Sequence, residues 1–144
     1  MKHSLLGMME SIGKAPEELN PLLLAYLGDA VYEVFIRSHL VARGVSRPHD
    51  LQKEATRYVS AGAQAKIYRE LEGELADEER EILKRGRNAK SGSVPKKAKV
   101  TDYRMSTGLE ALVGYLYCRG DEERLSQLMQ KAIATVEKET DSDE

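Results

Sequence analysis

The chain has 144 residues, 41% of them hydrophobic and 32% charged, with a formal net charge of −2. That balance fits one domain able to bury a core without disulfides or structural metal, and it excludes both a disordered chain and a membrane-embedded one. Cys118 is the only cysteine, so the sequence holds neither an internal disulfide pair nor Cys/His zinc spacing.

The first 19 residues are weakly patterned, with room for one short helix, and their apolar run is broken by Gly7 and Glu10, unlike a secretory signal. The longest apolar stretch, Leu22 to Leu27, is six residues, against the roughly 20 needed to span a bilayer. The expected compartment is the cytoplasm. Asn20-Pro21 is a helix start, with Asn as cap and Pro where its missing N–H costs nothing. Helical patterning then runs to about Arg43, and Gly44 is the stop. Leu23, Leu27, Ala30, Val31 and Val34 share one face, which Leu24, Phe35 and Val41 widen. A helix apolar nearly all round is central to its domain or covered on one side by a partner subunit. Ser46 to Pro48 form a break, and a second helical region spans about Asp50 to Leu71. Its middle, Ser60-Ala61-Gly62-Ala63, reads as a close helix approach or a kink. Asp77 is the expected cap of a helix from Glu78 to about Asn88, acidic at its start and basic at its end. Lys90 to Thr101, with Ser-Gly-Ser, a proline and four lysines, is a loop. Two helices follow, about Asp102–Cys118 and Asp121–Lys138, and the acidic tail from Glu137 reads as frayed. Strand-like alternation and internal repeats are absent, so the expected class is all-α.

Two carboxylates stand out. Asp29 lies in Leu-Gly-Asp-Ala-Val and Glu110 in Gly-Leu-Glu-Ala-Leu-Val-Gly, each inside an apolar helix where an unpaired charge is costly. One reading is a salt bridge to an arginine. The other is a pair of acids converging from two helices on a hard divalent cation such as Mg²⁺. Glu33 shares the face of Asp29, but Arg37 is its i+4 neighbour and the structural pairing is favoured. Thr107 is one turn before Glu110, where a back-bond to the main chain is the commoner use of its hydroxyl. His3, His39 and His49 lack ligand spacing and read as surface or capping residues.

Charge is strongly segregated. Between Lys84 and Arg104, eight basic residues face the single acid Asp102, a local charge of +7 that leaves −9 for the rest. The plain reading is a solvated loop; the functional one is a polyanion surface. The Walker and dinucleotide orders are missing, and so are the interleaved aromatics of a single-strand platform. Backbone-directed grip on a duplex fits the composition better, A-form RNA in particular.

Residues 24–33, Leu-Ala-Tyr-Leu-Gly-Asp-Ala-Val-Tyr-Glu, resemble the signature helix of ribonuclease III endonuclease domains. Glu-Ala-Leu-Val-Gly-Tyr-Leu-Tyr at 110–117 is similar to that family's second catalytic helix. Lys-Arg-Gly-Arg-Asn-Ala-Lys-Ser-Gly from 84 and Tyr-Arg-Met-Ser-Thr from 103 resemble the Mini-III branch, which consists of the nuclease domain alone. The likeness covers about residues 18–136, within an expected layout of an N-terminal extension (1–17), the endonuclease domain (18–138) and an acidic tail (139–144).

The resemblance implies a homodimeric helical bundle that cleaves double-stranded RNA with Mg²⁺, leaves 5′-phosphates and matures the ends of precursor 23S ribosomal RNA. Ribosomal proteins are further candidate partners. Carried over position by position, Asp29 and Glu110 match the catalytic acids and metal ligands. The carboxylates that the wider family places one turn earlier are Ala25 and Thr107 here, which leaves the number of metal ions open. Tyr26 is expected to face the partner subunit. With no separate RNA-binding domain, Arg85, Arg87, Asn88, Lys90, Lys96, Lys97, Lys99 and Arg104 are the expected RNA-binding residues. The competing expectation is a catalytically silent RNA-binding or ribosome-assembly module on the same fold, which has no need of Asp29 and Glu110. A helical interaction domain that binds no RNA would leave the basic window unexplained.

Overall fold

A computed structural model describes residues 13–90, 94, 96 and 99–142. Among these there are helices and no strands, in agreement with the all-α expectation. A 3-10 turn, Pro16–Glu18, leads into α1 (Pro21–Ala42), α2 (Pro48–Val59), α3 (Ala61–Glu72), α4 (Asp77–Asn88), α5 (Val100–Arg119) and α6 (Glu122–Ser142). No helix among the described residues is long and apolar enough to cross a membrane.

The ends of α1 follow from local chemistry. Asn20 Oδ1 accepts the Leu22 N–H at 2.8 Å, with Pro21 in the first turn. At the other end Gly44 takes φ 90°, and the N–H groups of Gly44 and Val45 return to the carbonyls of Val41 and Leu40. The same closure ends α5 at Gly120, φ 76°, where the Asp121 N–H reaches the Leu116 carbonyl.

Two expected boundaries move. The helical region anticipated from about Asp50 to Leu71 is two helices, because Ser60 is extended (ψ 153°) and its hydroxyl caps α3 by accepting the Ala63 N–H at 3.2 Å. At α4 the cap position belongs to Ala76, not Asp77. Glu79 reaches back to the Ala76 N–H at 2.9 Å, and Asp77 pairs with Arg80 instead. Glu79 is itself buried and receives Arg124 of α6 through two hydrogen bonds of 2.8 Å, which tie α4 to α6. Arg124 is the main reason the Glu79 carboxyl is held below its ordinary pKa.

The central helix is α5, not α1. From Ser106 to Leu116 every residue of α5 is buried except Glu110, and α1, α3, α4 and α6 all pack on it. α1 turns Leu24, Gly28, Tyr32, Ile36 and Leu40 to the core but leaves Leu23, Tyr26, Val34 and Val41 between 55% and 79% exposed. Of the face that the sequence groups together, Leu23, Ala30 and Val34 thus point outward, because α5 takes up the adjacent face. The tail also differs from expectation. α6 continues to Ser142, and Glu137 is anchored rather than frayed: it binds His39 at 2.8 Å, Arg43 at 3.1 Å and the Tyr58 hydroxyl at 3.1 Å. His39 is accordingly half-buried in a clasp between helices and is neither a surface nor a capping residue.

Candidate active site

Two glycines let α1 and α5 touch along their backbones. A Cβ added at Gly28 would lie 1.7 Å from the Glu110 carbonyl oxygen, and one at Gly114 would lie 1.9 Å from the Leu24 carbonyl oxygen. Leu24 faces Gly114 while Gly28 faces Glu110, so the helices run in opposite directions through the contact. Asp29 follows Gly28 directly, and its side chain hydrogen-bonds that of Glu110. The two acids singled out in the sequence are therefore neighbours in space, one from each helix.

Their surroundings differ. Asp29 is exposed, contrary to the expectation that it lies within an apolar interior, because it sits where the core face of α1 gives way to its outer face. Glu110 is half-buried. Burial, the hydrogen bond to Asp29 and the repulsion of its charge push the Glu110 carboxyl up to about 9, and Glu33 adds to the effect. Glu33 itself pairs with Arg37 at 2.9 Å, in agreement with the structural pairing expected from their i, i+4 spacing.

A third polar group adjoins the pair. Gln64 of α3 is only 3% exposed, and its side chain hydrogen-bonds both Glu110 and Tyr32. The fully buried Tyr32 donates its hydroxyl proton to the Tyr58 carbonyl at 2.5 Å. Sequence reasoning passed over Gln64, since an amide within a helix raises no alarm. Its one available signal was a polar residue set between the small and apolar residues of the α3 stripe. Thr107 and Ser106 both return their hydroxyls to the Tyr103 carbonyl, at 3.0 and 2.8 Å, and Ala25 is buried, so none of these adds a side-chain ligand.

Among the described residues no group of three or more His, Cys, Asp or Glu side chains is arranged for a metal. The donor set is two carboxylates, one of which burial and the neighbouring acid push up to about 9. That suits a hard cation held by one or two carboxylates with water filling the other positions, as is usual for Mg²⁺. The ion would relieve the repulsion that raises the Glu110 carboxyl.

The basic window divides. Arg85 donates to the main-chain carbonyls of Glu17 and Leu19 at 3.0 and 3.3 Å, and so secures the turn before α1. Arg87 donates to the Tyr68 hydroxyl at 3.0 Å and to Asn88 at 3.1 Å. Asn88, Lys90, Lys96, Lys99 and Arg104 are exposed, and Lys97 lies outside the described residues. Tyr26 is 79% exposed on the outer face of α1.

Residues 22–121 match the Ribonuclease III domain family. The chain is 50% identical over 131 residues to the Mini-ribonuclease 3 of Brevibacillus brevis, covering 91% of this chain and 98% of that protein. It is likewise 50% identical over 123 residues to the Mini-ribonuclease 3 of Symbiobacterium thermophilum, covering 85% and 95%. A crystal structure of a protein from Fusobacterium nucleatum superposes with a TM-score of 0.73 at 31% identity, over 81% of this chain and 93% of that one. The helical architecture, the order of the motifs and these likenesses agree: the chain belongs to the ribonuclease III family, in its Mini-ribonuclease 3 branch, whose members are endoribonucleases.

Proposed function

We propose that this chain is a Mg²⁺-dependent endonuclease of double-stranded RNA that leaves 5′-phosphates and matures the ends of precursor 23S ribosomal RNA. The single observation carrying this reading is the contact of Asp29 with Glu110 across the glycine-lined crossing of α1 and α5. A silent binding module gains nothing from two acids placed at the cost of Glu110's proton affinity.

In this reading Asp29 and Glu110 hold the ion. When bound, it supplies charge stabilisation at the scissile phosphate and acidifies the attacking water. Glu110 would have to give up its proton to serve as a ligand, so holding the ion would be coupled to proton loss from the acid pair. Asp29, being exposed, presents its carboxylate where an RNA backbone can reach. Asn88, Lys90, Lys96, Lys97, Lys99 and Arg104 supply donors and charge for phosphates, with Arg87 beside them. Arg85 supports that surface through its bonds to the segment before α1.

A homodimer completes the arrangement. The outer stripe of α1, with Leu23, Tyr26, Val34 and Val41 exposed, is the kind of apolar patch that marks a protein interface. Two copies joined there would bring two acid pairs to one duplex, one for each strand.

The test is incubation with a long RNA duplex carrying a paired precursor 23S end, with Mg²⁺ or with EDTA, followed by end-group mapping. Discrete cuts in that stem, with 5′-phosphates and only with the metal, support the reading. Binding without cleavage in Mg²⁺ would favour the silent module.

A further inference from the structure

We propose that Gln64 is a positioning residue for Glu110. Its carboxamide hydrogen-bonds the Glu110 carboxyl on one side and the Tyr32 hydroxyl on the other, and the Tyr58 main-chain carbonyl anchors Tyr32. This inference rests on the reading of Asp29 and Glu110 as a metal-holding pair and assigns that site a third, neutral member.

Gln64 stands in the first turn of α3, just after the break at Ser60, and α3 packs on α5 where Glu110 projects. It is 3% exposed, yet no buried side-chain oxygen or nitrogen among the described residues is left without a partner. A buried amide offers two N–H donors, and it is costly unless both are used. Here the available acceptors are an acid that needs orienting and a tyrosine already fixed at 2.5 Å to the Tyr58 carbonyl. The chain Glu110–Gln64–Tyr32–Tyr58 thus runs from the acid on α5, through α3 and α1, to the end of α2. A glutamate side chain has three rotatable bonds, and Thr107 and Ser106 on the same helix direct their hydroxyls to the Tyr103 carbonyl instead. The hydrogen bond from Gln64 therefore selects the Glu110 rotamer that meets Asp29. Orienting partners of this kind change metal affinity or activity by about 10–100-fold when removed.

Gln64→Met tests the proposal, because Met matches Gln in length and cannot donate. Divalent-ion binding is measured without RNA, from the Mg²⁺ dependence of the melting temperature, beside kcat and KM on duplex RNA. The expected result is a midpoint Mg²⁺ concentration raised by about 10-fold or more and a lower kcat at subsaturating Mg²⁺, with KM for RNA unchanged. Tyr32→Phe, which removes the brace on Gln64 together with its bond to the Tyr58 carbonyl, should move the midpoint the same way by less. In the double variant the two effects should not add. Should Gln64→Met fail to melt cooperatively, Tyr32→Phe carries the test alone. Wild-type Mg²⁺ midpoints in the folded variants would overturn the positioning role while leaving the metal site intact. A wild-type chain that binds no Mg²⁺, or is equally active in EDTA, would instead overturn the site itself.

Discussion

Glu110 is where the chemistry leaves a thermodynamic trace. Its folded value near 9 exceeds the ordinary carboxylate value of 4.5, so between those limits the metal-free folded protein holds a proton that the unfolded chain releases. The Glu110 contribution to stability is then full below about pH 4.5 and is lost as pH rises towards 9. Glu110→Gln removes the titrating group at nearly constant volume. In EDTA it should melt above wild type, by a margin that widens from pH 5 to pH 9, while its cleavage is lost. Melting curves across that range check this, and parallel pH profiles for the two proteins would refute it. Asp29 and Glu110 were legible in the sequence because an acid among apolar residues is conspicuous. Gln64 and Glu137 were not: an amide suits a helix, and an acid near a charged terminus looks solvated until Tyr58, His39 and Arg43 are seen beside it.

At the scale of the helices, the site depends on how closely α1 can approach α5. Gly28→Ala gains about 1 kcal/mol in helix propensity, but its methyl group would lie 1.7 Å from the Glu110 carbonyl oxygen. The helices must part, and overpacking of this kind costs about 3 kcal/mol. The variant should melt lower and lose cleavage even where it remains folded, since Asp29 moves away from Glu110. Circular dichroism melts and a cleavage assay decide it; an unchanged melt with full activity would contradict the crossing. The helices themselves were readable from Asn20-Pro21, Gly44 and Gly120, whose roles are local. The sequence around Ser60 signals no more than a close approach or kink, because its extended backbone is stabilised by one hydroxyl that serves equally well in a continuous helix. That α5 and not α1 is central could not be read from either helix alone. It follows from Gly108 and Gly114 admitting α4 and α1 on different faces of α5.

The whole molecule carries two outer features, an apolar stripe on α1 and the exposed lysines beyond α4. The α1 stripe should hold a dimer, so Leu23→Asp/Val34→Asp should convert a dimeric mass at micromolar concentration, read by light scattering, into a monomeric one. A wild-type monomer would contradict the interface. The exposed lysines beyond α4 should grip phosphates: Lys96→Ala/Lys99→Ala should flatten the slope of log K against log salt by somewhat under ~2, similarly for RNA duplexes of different sequence. An unchanged slope would return the segment to a solvated loop. Such surfaces were visible in the sequence as an apolar excess on α1 and a local charge of +7. Their separation into arginines that bind the chain itself, such as Arg85 on Glu17 and Leu19, and side chains that face outward needed the tertiary structure. The central claim is that Asp29 and Glu110 together cleave duplex RNA, and single-turnover cleavage of one RNA duplex by wild type and Asp29→Asn in millimolar Mg²⁺ tests it most directly. The expected result is a loss of about 10³-fold or more in rate with RNA affinity retained; cleavage by the variant at a rate near wild type would contradict it.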